Sequence, residues 1–333
     1  MSIIFAMQST SISEKPLVSF CILTYNQENY IENACLGAFE QDYPNLEIII
    51  SDDCSSDNTW NIVLDLVSHY NGPHKIILNK NEKNLGIREN CNKVLYGLSK
   101  GEIILLAGGD DVSLPKRSSI TVDTMMRYPE LSSLSFQSLI VDEHLNPINQ
   151  SAWNEISAGY TTILTLSDYI HDGNLFIFSG ESRALKRSVI NAFPPLKYSR
   201  AEDIYLFLRS LYLGPIAYIR QPLVKYRQHD ESIMGKSRNS ESFNKRLSQA
   251  DRRKLWEKNL EIFNNTTKKQ LWTDLYYAVE HGYIKKDYEP FVTCKLTNVE
   301  KWLMPKKESN LSQKVLHKCS RSVKKILRSL KLI

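Results

Sequence analysis

The chain has 333 residues, 42% hydrophobic and 24% charged, the balance of an ordinary globular protein with a sizeable core and room for about two domains. No apolar run approaches the roughly 18–20 residues of a membrane-spanning helix, and the N-terminus lacks a basic stretch followed by an apolar core, so a cytoplasmic protein is expected. The net charge of +5 excludes little until it is located: Lys314, Lys318, Arg321, Lys324, Lys325, Arg328 and Lys331 lie in the last twenty residues, and the rest of the chain carries −2, which argues against a nucleic-acid partner for the main body.

Residues 1–15 show no periodicity and read as a loose lead-in. Leu17–Leu23 is an apolar strand ending in Thr24, Tyr25 and Asn26, followed by helical spacing over Tyr30–Phe39 with Asn26 or Asn29 as a cap. Leu46–Ile50 is a second strand, ending in Ser51, Asp52 and Asp53, and Asp57 suits the cap of a helix reaching Val67. A third strand covers Lys75–Leu78, a helix Arg88–Leu98, a fourth strand Glu102–Ala107, and another helix begins near Pro115. Strands alternating with helices over about 120 residues predict a parallel, doubly wound sheet with right-handed crossovers. Its polar strand ends would then share one rim, where ligands bind in such sheets.

Further along, Leu131–Val141 reads as a longer strand and about 142–162 as an irregular region. Ala201–Leu211 reads as a helix starting near Ser199, and Ile216–Ile219 and Leu223–Tyr226 as two short strands. From about 235 the composition turns to charged helical sequence. The expected organisation is therefore a domain over 16–235, split near 130 into two halves, and a helical region over 236–333. Its last segment, 312–333, sets apolar residues at three- and four-residue spacing among the seven cations, a pattern that fits an anionic membrane surface first, then a helix docked on the domain, and least of all RNA. The six cysteines have no paired spacing and read as reduced thiols.

Several carboxylates stand where chemistry is expected. Asp110 and Asp111 follow Gly108 and Gly109 at the end of the fourth strand, and two adjacent acids repel each other unless a cation or donors offset them. Asp52 and Asp53 can cap a strand end or bind a ligand, while Glu202 and Asp203 open a helix, a common charge pattern in its own right.

Taken in order, Thr24-Tyr25-Asn26, Gln41 to Asn45, Glu47 to Ile50, Ser51 to Asp57, Asn84-Leu85-Gly86, Asn90 to Asn92, Gly101-Glu102-Ile103 and Asp110-Asp111 resemble the family 2 glycosyltransferases. With Gly180, Ser182-Arg183-Ala184 and Lys186-Arg187, which resemble the family's acceptor-side segment, and with Glu202-Asp203 and Tyr226 to His229, the resemblance extends over about 215 residues and implies a nucleotide-sugar-binding half over 16–130 and an acceptor half over 131–235. It implies an α/β GT-A fold, a mostly parallel Rossmann-like sheet flanked by helices, with a nucleotide-sugar donor and inversion at the anomeric carbon. It further implies that Thr24, Tyr25 and Asn26 line the nucleotide, that Asp53 accepts a hydrogen bond from the base with Asp52 in support, and that Asp111 ligates Mn²⁺ or Mg²⁺.

Asp110 would contact the donor ribose or sugar, His229 would complete the metal site, and Arg227 would neutralise the diphosphate. Arg88 and Asn92 fall where the family carries an Arg-Asn pair near the nucleotide, although Cys91 stands at the usual Arg position. Gly109 occupies the first Asp position of the family's D-x-D motif, leaving G-D-D. Asp203 is the expected base and Glu202 the second candidate. The acceptor implied is a glycan or lipid-linked hydroxyl in bacterial surface-polysaccharide synthesis, with the enzyme peripheral on the inner face of the plasma membrane. A catalytically silent carbohydrate-binding or assembly subunit with the same fold is the alternative. Nucleotidyltransferase chemistry fits less well, because Thr24 to Tyr30 supplies no Gly- and Lys/Arg-rich triphosphate loop.

Overall fold

A computed structural model describes residues 15–148, 161–166, 180–197 and 202–230, and most of 270–283. The lead-in before residue 15, the start near Ser199, the helical sequence from 236 to 269 and the basic segment 312–333 lie outside the described residues. Among the described residues no helix is long and apolar enough to cross a membrane.

Four parallel strands make the first half: β1 (Val18–Thr24), β2 (Leu46–Asp52), β3 (Lys75–Lys80) and β4 (Ile103–Gly108). They lie in the order β3-β2-β1-β4. β1, β2 and the body of β4 are buried, as expected of continuous apolar strands in a parallel sheet. Alternation along β1 gives the sheet two working faces. Val18, Phe20 and Ile22 join one apolar cluster with α1 (Ile31–Phe39), while Cys21 and Leu23 point into another with Cys91, Val94 and Leu95. The helices α2 (Thr59–Ser68) and α4 (Arg117–Arg127) supply more of the first cluster.

Beyond β4 the sheet becomes mixed, because β8 (Ala184–Lys186) pairs antiparallel with β4 and with β6 (Ser133–Val141). β9 (Ile216–Arg227) runs parallel to β6 and antiparallel to both β5 (Val112–Ser113) and β7 (Thr161–Leu164). Sequence alone suggests two short strands here. They are one twelve-residue strand, interrupted by register shifts against Gln137 where Pro222 cannot donate to the ladder. The expected helix over Arg88–Leu98 also changes character, being α3 (Ile87–Asn92) followed by a π-helical turn over Lys93–Leu98. The cap expected from Asn26 or Asn29 on α1 is absent; the Asn26 carboxamide instead accepts from the Ser56 amide at 2.8 Å. Asp57 accepts from the Thr59 amide at 3.0 Å, an Asx-type contact at the start of α2.

α5 (Arg187–Ala192) and α6 (Glu202–Leu213) complete the second half. α6 carries Asp203 at its start and meets the C-terminal region through a buried ion pair. The Arg209 guanidinium donates to Asp274 at 2.7 and 2.8 Å, and both side chains are at most 2% exposed. Gln270 donates to the same carboxylate and accepts from the Lys197 amide. Removing one partner of such a pair strands the other charge away from water. Asp274→Ala is therefore expected to cost about 3–5 kcal/mol, read as a lower denaturant midpoint at unchanged slope. A loss under about 1 kcal/mol would show that the pair does not hold this region to the domain.

Candidate active site

The parallel register sets the strand ends side by side. The Asp53 amide donates to the Thr24 carbonyl at 2.9 Å and the Gly109 amide to the Leu23 carbonyl at 2.9 Å, so backbone hydrogen bonds run along the rim from Asp53 to the Asp110 turn. Thr24 is buried, whereas the Tyr25 ring stands 44% exposed on this edge. Asn26 adopts φ 50° and is tied to the 52–57 turn through Ser55 and Ser56.

Asp52 and Asp53 have different surroundings. Asp52 accepts from the amide and the hydroxyl of Ser55, the turn-capping role open to it from sequence. Asp53 accepts from Asn81 Nδ2 at 2.8 Å and from the amides of Leu85 and Gly86 at 2.9 and 2.7 Å. Behind it Asn81 is held in turn by Asn79, Asn90 and Lys93. A lattice of short polar side chains at the end of β2 thus orients one carboxylate. Sequence inspection passes over it, because separated asparagines carry no motif.

Asp111 is 5% exposed and accepts from the Arg227 amide at 3.0 Å. Burial first, and then the charges of Asp110 and Glu181, push its pKa well above the ordinary carboxylate range. The short antiparallel pairing of β5 with β9 draws the end of β9 across the Asp110 turn. As a result His229 Nε2 lies 3.1 Å from Asp110 Oδ2, and its ring sits 4.2 Å from that of Tyr30. Two adjacent carboxylates and one imidazole form a donor set suited to Mg²⁺ or Mn²⁺ when phosphate oxygens and water supply the remaining positions. Among the described residues no three acidic, His or Cys side chains converge to hold an ion by themselves.

Three arginines hold this rim from inside. Arg227, 2% exposed, donates through Nε to the Asp110 carbonyl at 2.8 Å, and its other nitrogens meet the Glu143 carbonyl and Asn33. Its guanidinium also stacks over Tyr30 at 4.8 Å. The side chain expected to meet a diphosphate thus fastens the turn that bears the carboxylates. Arg117, fully buried in the first turn of α4, donates to the Leu106 carbonyl at 2.7 Å and to Ser113. Arg183 is 2% exposed; it donates to the Asp203 carbonyl, and its own carbonyl accepts from the Leu106 amide at 3.0 Å. A cation opening a helix opposes the helix dipole, and at Arg117 that misplacement is the one signal available from sequence.

On the far side, Gly180 lies so close to the start of α6 that a Cβ there would sit 2.9 Å from Asp203 Cβ. Asp203 Oδ1 accepts from the Ile204 amide at 2.8 Å. Burial first, and then the Asp203 charge, raises Glu202 to about 7. Arg88 and Asn92 serve another contact. Arg88 donates to the Lys197 carbonyl, and Asn92 pairs with both backbone groups of Leu196, so α3 clamps the segment leading toward α6.

The missing first acid of the D-x-D pattern has a steric reason. A Cβ at Gly109 would fall 2.6 Å from Thr24 Oγ1 and 2.7 Å from Thr24 Cβ. Gly109→Asp is expected to lower stability by about 1–3 kcal/mol through overpacking. It should not tighten Mn²⁺ binding in a calorimetric titration; a gain in metal affinity at unchanged stability would contradict the steric account.

Comparison with known proteins converges on one family. Residues 19–193 match the family model described as glycosyl transferase family 2, which covers more than half of the chain. The putative glycosyltransferase EpsE of Bacillus subtilis is 28% identical over 226 residues, 67% of this chain and 77% of that protein. Staphylococcus aureus TarS 1–349, solved in complex with UDP-GlcNAc, superposes with a TM-score of 0.51 at 18% identity, covering 84% of this chain and 80% of that one. The mannosyltransferase PcManGT from Pyrobaculum calidifontis, solved with GDP-Man and Mn²⁺, gives 0.53 at 16% identity, covering 95% and 80%. At these identities the two structures establish the fold, a GT-A α/β architecture, while the family match establishes the class: the chain belongs to glycosyl transferase family 2 and is a glycosyltransferase.

Proposed function

We propose that the protein is a metal-dependent inverting glycosyltransferase that moves a sugar from a nucleoside-diphosphate sugar, a UDP-sugar first among them, to a hydroxyl of a glycan or lipid-linked acceptor. The observation that carries this reading is the Asp110–His229 contact at 3.1 Å beside buried Asp111, on the rim that also bears Asp53. The bound ligands of TarS and the mannosyltransferase, UDP-GlcNAc in one and GDP-Man with Mn²⁺ in the other, support a nucleotide-sugar donor.

Each residue then has a task. Asp53, its orientation set by three donors, accepts a hydrogen bond from the base, with Thr24, Tyr25 and Asn26 along the nucleotide. Asp111 and His229 hold the divalent ion and Asp110 contacts the donor. When bound, that ion offsets charge developing on the leaving diphosphate. Arg227 keeps the Asp110 turn in place. Asp203 takes the proton from the acceptor hydroxyl as its oxygen attacks the anomeric carbon. The new carbon–oxygen bond forms on the face opposite the breaking bond to phosphate oxygen, and the nucleoside diphosphate leaves with the electron pair. Glu202, beside it, is the second candidate for that base.

A role in bacterial surface-polysaccharide synthesis at the inner face of the plasma membrane, with segment 312–333 on anionic lipid, extends this reading from family resemblance and tail composition.

A thermal-shift screen of nucleotide sugars with and without Mn²⁺, followed by transfer assays, tests the assignment. Asp111→Ala is expected to abolish the Mn²⁺-dependent shift. Asp203→Asn should keep that shift and lower transfer by at least about a hundredfold, the scale of a lost general base. Full turnover by Asp203→Asn would overturn the base assignment, and no shift with any donor would favour a carbohydrate-binding role.

A further inference from the structure

The turn 180–183, between the end of β4 and the start of α6, bears a carboxylate to which the family pattern assigns nothing, that of Glu181. Its position is set from three directions. The hydrogen bond from the Leu106 amide to the Arg183 carbonyl lays the turn 180–183 beside the end of β4, immediately before the Gly108-Gly109-Asp110-Asp111 turn. Gly180 packs within 2.9 Å, measured from a would-be Cβ, of Asp203 Cβ at the start of α6. From β6, the Ser138 hydroxyl donates to Glu181 Oε1 at 2.8 Å and orients the carboxylate. Ser182 and Arg183, the next two residues, are buried, whereas Glu181 keeps solvent contact.

We propose that Glu181 is a specificity residue for the donor sugar, its carboxylate accepting hydrogen bonds from hydroxyls of the sugar being transferred. This rests on the glycosyltransferase reading above. In that reading the sugar spans the space from the diphosphate, at Asp111, to the base, Asp203. A carboxylate borne on the turn between those two points is placed to meet the sugar rather than the nucleotide. Hydroxyl pairs are recognised by charged acceptors held in fixed orientation, and the Ser138 bond supplies that fixing. A site built to bind a hydroxyl discriminates strongly against an analogue that lacks it or presents it in the wrong direction. Glu181 also offsets the charge of buried Arg117 and Arg183, so loss of stability alone does not test the proposal.

The test is calorimetric titration of the full chain with Mn²⁺ and UDP, GDP, UDP-GlcNAc, UDP-glucose, UDP-galactose or GDP-mannose. Three proteins are compared: wild type, Glu181→Gln and Ser138→Ala, the last keeping the charge and removing only its orienting hydroxyl. Glu181→Gln is expected to lose about tenfold in affinity for the sugar nucleotide that wild type prefers, the worth of a charged hydrogen bond, while the matching nucleoside diphosphate stays within about twofold. Ser138→Ala should shift the same ratio in the same direction, by about threefold. Equal losses for sugar nucleotide and nucleoside diphosphate would overturn the proposal in favour of a charge-balancing role. Unchanged donor affinity would overturn it as well, and lost transfer in that case would move Glu181 to the acceptor or the proton. Wild-type protein that binds no nucleotide would defeat the donor reading first, an outcome distinct from wild type that binds UDP with no sugar-dependent loss in Glu181→Gln.

Discussion

Three guanidinium groups buried inside the sheet edge fix the geometry on which the rest depends. A buried arginine must find acceptors for its donors, because withholding hydrogen bonds from a desolvated charge costs several kcal/mol. Arg183 and Arg227, and Arg117 through its two terminal nitrogens, meet that requirement largely with backbone carbonyls, those of Leu106, Asp203, Asp110 and Glu143, whereas Arg117 Nε is buried without an acceptor among the described residues. The carbonyls of Leu106, Asp110 and Asp203 belong to a strand end, a turn and a helix start that carry or adjoin a candidate functional carboxylate, and that of Glu143 ties the turn after β6 to the same guanidinium as Asp110. The cations therefore lock the main chain of the site, and their charge eases the crowding of Asp110, Asp111, Glu181, Glu202 and Asp203 in one region.

This arrangement separates two kinds of work. The groups proposed to meet the donor stand at the ends of β1, β2 and β4, in register through continuous ladders, so their spacing follows from the pleat and needs little from loops. Asp203 stands at the start of α6, whose placement depends on Arg183, on the close approach of Gly180 and on the clasp of Arg209 by Asp274. Residues far apart in sequence thus meet at one edge. Both ends of the clasp, Arg209 and Asp274, lie beyond the span of the family match.

Much of the first half was legible because its signals are local. Continuous apolar runs marked β1, β2 and β4, and the polar residues after them marked the rim that the parallel register then aligned. The second half resisted for a physical reason in each case. Pro222 looks like a strand break, yet a bulge absorbs its missing donor and β9 continues. The π-helical turn after Asn92 leaves no pattern distinct from an α-helix over six residues. Arg227, Arg88 and Asn92 invite a ligand-facing reading, and their long-range contacts with Asp110, Lys197 and Leu196 cannot be read from spacing. Glu181 sits inside a segment recognisable by its neighbours, and the hydrogen bond from the Ser138 hydroxyl to its carboxylate spans residues far apart in sequence.

The interruption of β9 at Pro222 has a consequence for how such a protein can diversify. Before the proline the strand pairs with β7, and after it with β5, so one chain segment serves both halves of the molecule with an irregular joint between them. A bulge absorbs local changes of twist. Insertions or exchanges around β7 can then remodel the far half while the residues from Leu223 to His229 keep their hold on the Asp110 turn. New substrate ranges could in this way be tried by the lineage one side at a time.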